Sequence, residues 1–141
     1  MTTAIAIVLF TIFLFLGGIH FYWVLGGKWG TGAVYPTKPG DKNPQFPGTV
    51  PTTIVGIVLI SFGLFYLIRT GILPIVLPDF LIHYGLKIII VLFTVRAIGE
   101  FNYIGFFKKY KETKFGINDT KFYSPLCVVI AVMTFIVDYS L

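Results

Sequence analysis

The chain places several ionisable side chains inside otherwise apolar sequence, and these are its candidates for chemistry. His20 and Trp23 stand near the end of one apolar run, and Arg96 and Glu100, one helical turn apart, stand near the end of another. An imidazole, an indole, a guanidinium and a carboxylate meeting at one depth could hold a small anion or a lipid headgroup. They could also move a proton, because histidine titrates near neutrality and glutamate can act as its partner. The competing explanation is structural, with Arg96 and Glu100 as an intrahelical pair and His20 hydrogen-bonded to another helix.

A second group comprises His83 and Lys87, four residues apart and so on one helix face, together with Asp138 close to the C-terminus. Arg96 follows Lys87 by nine residues, which turns it about half a circle away, so the two groups are separate. Each charge costs about 2.5–3.5 kcal/mol at mid-bilayer, and a Lys87–Asp138 ion pair with His83 beside it would offset that cost. Such a pair is either a bridge between two helices or a proton or anion site.

Other chemistry finds little support. A Ser-His-Asp order, a paired-carboxylate motif, HExxH and CxxC are all missing. The run Gly26-Gly27-Lys28-Trp29-Gly30 lacks the upstream glycine spacing, and the Ser or Thr after lysine, that a phosphate loop requires. The single cysteine, Cys127, has no companion for an intrachain disulfide or a structural zinc site and reads as a small packed thiol. No cofactor and no metal is indicated.

The elements that must position these residues are membrane-spanning helices. Of 141 residues, 56% are hydrophobic and 12% charged. The mean hydropathy of +0.87 is too high for an ordinary soluble domain or a disordered chain. Four apolar stretches reach spanning length, at about residues 4–25, 50–70, 79–101 and 124–141. At ~20 residues each they use about 80 residues and leave no segment for a separate catalytic domain of ~100. The first has neither a basic leader nor a small-x-small cleavage site, so it reads as a retained helix. Thr49 and Pro51 open the second and Gly71 closes it; Pro78 and Asp79 open the third. Ser124 as cap, with Pro125 in the first helical position, opens the fourth. The expected fold is all-α, a single four-helix transmembrane bundle over residues 1–141.

Lysines set its orientation. With four spans, the loops around 26–48 and 102–123 share one side. They carry Lys28, Lys38, Lys42, Lys108, Lys109, Lys111, Lys114 and Lys121, whereas the other side has only Arg69. The loop side is therefore expected to be cytoplasmic and both termini extracytoplasmic. The net charge of +5 is topological on this account, and nucleic acid is not an expected partner. The first loop, with Pro36, Pro39, Pro44 and Pro47, should be mostly irregular. The apolar, proline-broken connection 71–78 should dip into the outer interface. Over Tyr103–Lys111 aromatic rings recur at three- and four-residue spacing beside lysines, which suits either contact with an anionic leaflet or ordinary lysines snorkelling at a helix end. Gly56 and Gly63, seven apart and continued by Tyr66 and Thr70, mark a helix-packing face. No internal repeat supports an inverted-repeat transporter.

Several of these residues also carry a resemblance. His20-Phe21-Tyr22-Trp23, Gly26-Gly27, Trp29-Gly30, Arg96 with Gly99-Glu100-Phe101, Gly105-Phe106, and Asp119 followed by Tyr123-Ser124-Pro125-Leu126-Cys127 form the pattern. It resembles a family of small bacterial four-helix integral membrane proteins catalogued as domain of unknown function 3995. The resemblance covers nearly the whole chain, with Glu100 at a position where an aspartate is common. It implies a multi-pass protein of the bacterial inner or plasma membrane and supplies no reaction. Under the topology above, His20, Trp23, Arg96, Glu100, Asp119 and Ser124 all fall at the cytoplasmic end, while Lys87 and Asp138 lie outside the motifs.

The leading expectation is a binding or accessory protein whose cytoplasmic-side pocket of His20, Trp23, Arg96 and Glu100 holds a small anionic or lipid-headgroup ligand. One alternative is a membrane enzyme acting on a lipid-soluble substrate, with Glu100 or His20 moving the proton. Another is a structural subunit of a membrane complex. The lipid bilayer is the expected partner, and a homo-oligomer or a second membrane protein is compatible with so small a chain.

Overall fold

The computed structural model describes residues 1–41 and 46–141; Lys42 and Pro44 of the first loop lie outside the described residues. The chain is all-α. Its helices are α1 (Thr2–Val24), the short α2 (Thr31–Val34), α3 (Thr49–Arg69), α4 (Asp79–Ile98), α5 (Lys114–Asn118) and α6 (Ser124–Ser140). A π-helical turn, Asp119–Tyr123, joins α5 to α6, so that Lys114–Ser140 forms one helix of 27 residues. Among the described residues, this helix, α1, α3 and α4 are the four helices long and apolar enough to cross a membrane.

Local chemistry sets the boundaries. Gly71 and Gly99 take left-handed φ values of 78° and 90° just beyond α3 and α4, a conformation that a Cβ disfavours. Gly99 therefore ends α4 at Ile98, short of the Phe101 that hydropathy alone suggests. Asp79 lies in the first turn of α4 and its side chain makes no capping bond. The last helix begins at Lys114, well before Ser124. Thr113 is the cap, its Oγ1 accepting from the Gly116 amide at 2.9 Å. Pro125 can sit inside this helix because the wider π turn directly precedes it, where proline lacks an N–H and crowds the carbonyl four residues back. The Ser-Pro pair marks a joint within a helix instead of its start.

The bundle is two helical hairpins, α1 with α3 and α4 with α6, joined mainly where α1 meets α6. Glycines let α1 and α3 approach closely. A Cβ on Gly63 would stand 3.1 Å from Phe13 Cβ, and one on Gly56 would stand 3.3 Å from His20 Cβ. The Gly56 and Gly63 face is thus the α1 contact. Phe13 is fully buried at the centre, stacked on Tyr66 at 5.8 Å and edge-on to Phe62 at 5.9 Å and Phe93 at 5.4 Å. Tyr66 shares a buried hydrogen bond of 2.7 Å with Thr134, so all four long helices meet around one aromatic cluster. Outside it, Phe15, Ile57, Val91, Val132 and Phe135 are exposed, as suits residues facing lipid tails.

Candidate functional site

The most highly connected polar cluster among the described residues lies where α4, residues 99–113 and the π turn meet. Asp119 is fully buried there. Its Oδ1 accepts from Arg96 Nη2 at 2.8 Å. Its Oδ2 accepts from the Gly105 amide at 2.8 Å, from Lys108 Nζ at 3.1 Å and from Ser124 Oγ at 3.1 Å. Lys108 is only 2% exposed and also donates to the Gly105 carbonyl at 2.8 Å and to Thr120 Oγ1 at 2.5 Å. All three ammonium protons therefore have acceptors. A buried charge is tolerated when it is both paired and hydrogen-bonded, and this cluster meets both conditions around Asp119.

The segment that delivers Lys108 owes its path to two glycines. Gly99 and Gly105 have φ of 90° and 87° and pack backbone to backbone. A Cβ on Gly99 would collide with the Ile104 carbonyl, and one on Gly105 would collide with that of Ile98. The Phe106 amide donates to the Ala97 carbonyl at 2.8 Å, while Lys109 and Tyr110 amides donate to Phe101 and Asn102 at 2.9 Å each. Residues 99–113 thereby fold back over the end of α4 and turn Lys108 inward. Lys109 and Lys111, its near neighbours, are exposed.

Glu100 sits outside this cluster. It is exposed and accepts from the Tyr103 amide and, at 3.2 Å, from Asn102 Nδ2. The Tyr103 amide is the chief reason its carboxyl is held below the usual range. Glu100 forms no ion pair with Arg96, because the turn at Gly99 interrupts the helix that would have put them on one face. His20 Nδ1 lies 2.6 Å from the Leu16 carbonyl, and its ring meets Trp23 edge-on at 5.2 Å. With the proton on Nδ1, Nε2 is the acceptor. Trp23 donates from Nε1 to the Trp29 carbonyl at 2.9 Å and meets Tyr35 edge-on at 5.5 Å. This row of rings ties the first loop to α1, and no hydrogen bond joins His20 or Trp23 to Arg96 or Glu100.

Among the described residues, Arg96 Nη1 and the Tyr35 hydroxyl are buried at this end of the bundle without a partner. Burial also pushes the Tyr35 phenol up from its ordinary range. At the opposite end, Lys87 Nζ stands 3.8 Å from Asp138 and donates to the His83 carbonyl at 2.9 Å. His83 Nδ1 lies 2.9 Å from the Asp79 carbonyl. Cys127 is buried. Among the described residues no group of His, Cys, Asp and Glu is arranged to hold a metal ion.

Sequence patterning therefore pointed to Arg96 and missed the residues that surround it. Asp119 and Ser124 were visible only through the family resemblance. Lys108 was one more loop lysine, since nothing in its spacing separates it from Lys109. The family described as Protein of unknown function (DUF3995) matches residues 13–134, and the chain belongs to it. The match includes Arg96, Lys108, Asp119 and Ser124 and ends before Asp138. No curated protein and no solved structure matches the chain.

Proposed function

We propose that this multi-pass membrane protein is a binding or accessory protein of the bacterial cell membrane. Its ligand is a small anion or a lipid headgroup, held at the end of the bundle that carries Arg96. The observation supporting this is the guanidinium itself. Arg96 commits Nη2 to Asp119 and leaves Nη1 buried with no acceptor. A buried unsatisfied donor costs about 1–3 kcal/mol, and an anionic oxygen placed against it would remove that cost. The Tyr35 hydroxyl is a second group at the same end with no partner among the described residues, next to Trp23 and, through it, His20. Glu100 stands at the exposed rim. Asp119 and Lys108 act as positioning residues that hold Arg96 and the fold-back segment in place.

On this proposal the lysine-bearing loops face the cytoplasm and both termini face outward. Lys87 and Asp138 form a loose bridge from α4 to α6 on the outer side, while His83 bonds within α4. Native mass spectrometry of protein extracted with its own lipids tests the reading. Wild-type protein should retain a small anionic adduct. Arg96→Lys, which keeps the charge but removes the planar pair of donors, should lose the adduct while remaining folded. A retained second protein without a small adduct would replace the proposal with a subunit role. If neither is retained, the enzyme alternative is the one left to test.

A further inference from the structure

A second cationic feature lies apart from Arg96. Residues 37–41 of the first loop face residues 109–114 across a cleft of about 730 Å³, within the range of small-molecule sites. Lys38, Lys109, Lys111 and Lys114 line it, against the carboxylates of Asp41 and Glu112. Among the described residues none of these four lysines is ion-paired, unlike Lys108 next door.

The 109–114 wall, and α2 next to the other wall, are braced from behind. Lys108 anchors the 109–114 side inside the protein through Asp119 and Thr120. Gly116 packs so tightly beneath that wall that a Cβ would strike the Tyr110 carbonyl. On the other side, α2 is tied by the Tyr123 hydroxyl, which donates to the Ala33 carbonyl at 3.0 Å. Lys114 crosses between them, its Nζ 3.9 Å from where a Cβ on Gly32 would sit. The four ammonium groups outnumber the two carboxylates, so the cleft is net positive and an added anion lowers the repulsion among the lysines. The polar lining and compact point charges favour phosphate oxygens over a carboxylate fork, which arginine matches better.

We propose that this cleft is a phosphate-binding site, filled by a phosphate group carried either on an anionic phospholipid or on a soluble phosphorylated compound. The site goes beyond the Arg96 reading and shares no lining residue with it. The test uses full-length protein in phosphatidylcholine nanodiscs. One arm titrates pyrophosphate by calorimetry. The other counts phosphatidylglycerol molecules retained by native mass spectrometry after mixing that lipid in.

Lys109→Gln with Lys111→Gln removes two lining charges. Lys28→Gln with Lys121→Gln removes two charges from the same side of the protein but outside the cleft. The first variant should weaken binding about tenfold and the second by less than about twofold. Loss confined to the pyrophosphate arm identifies a soluble ligand, and loss confined to the lipid arm identifies a headgroup. Equal loss in both variants, or no binding by wild-type protein in either arm, overturns the proposal. The difference between the two double variants should persist in an Arg96→Lys background, so binding that depends on the cleft lysines is told apart from binding at Arg96.

Discussion

At the loop end of the bundle a fully buried carboxylate, Asp119, accepts from four donors at 2.8–3.1 Å, two of them cationic side chains. At the terminal end Lys87, with 58% of its side chain exposed, stands 3.8 Å from an Asp138 whose side chain is 21% exposed. Both ends join a basic residue of α4 to an acidic residue of the last helix. They differ in what the surroundings demand. Asp119 has no access to solvent, so its lone pairs must be matched within the protein, and the matching fixes the geometry of everything attached. Lys87 runs back along α4 to the His83 carbonyl in the manner of a snorkelling lysine, and its pairing is loose. Distance alone would call both ion pairs; burial and hydrogen-bond saturation make only one of them a structural hub.

The most damaging way to break this contrast is Asp119→Ala, which leaves Arg96 and Lys108 facing each other without their anion. It should cost about 3–5 kcal/mol, read as a large fall in Tm in detergent. A fall no larger than that of a surface variant would show that the hub is dispensable. Gly99→Ala should come next. The left-handed φ alone costs about 1–3 kcal/mol, and the collision with Ile104 adds to it. Hydrogen exchange should then rise across 99–113 while the α1–α3 pairing stays protected.

Lys87→Met sharpens the other side of the comparison. It should change stability by no more than about 1 kcal/mol, because the pair it removes is weak. A loss comparable with that of Asp119→Ala would erase the distinction between the two ends.

The smallest effect concerns Glu100. Its folded-state carboxyl is held below the usual range by the Tyr103 amide, so its contribution is complete above the ordinary glutamate pKa and disappears as pH falls through the folded value. An acid titration followed at the Tyr103 amide by NMR should show a midpoint below the usual glutamate range, and Glu100→Gln should abolish it. The melting temperature near neutral pH should barely move, since the group is exposed.

Much of the architecture was legible beforehand because it depends on sums over neighbouring residues. Twenty consecutive apolar side chains make a span whatever they pack against, Gly71 caps α3 through its own φ, and the seven-residue spacing of Gly56 and Gly63 marks a contact face. Local signals misled where one residue type serves two purposes. Ser124-Pro125 has the composition of a helix start, yet the π turn before it lets the helix run through. Arg96 and Glu100 have the spacing of a pair, yet Gly99 turns the chain between them.

By itself, then, the sequence determined that the chain carries four long apolar helices and the face on which α3 meets α1. Only the tertiary structure decided which charges are buried. Lys108 and Lys109 are adjacent and chemically identical, and one is sealed against Asp119 while the other lines an open cleft. That choice rests on a backbone fold-back through Gly99 and Gly105 that brings residues from α4 and the last helix together. Hydropathy counts what a residue is, whereas the cost of burying its charge depends on which distant donors and acceptors arrive to meet it.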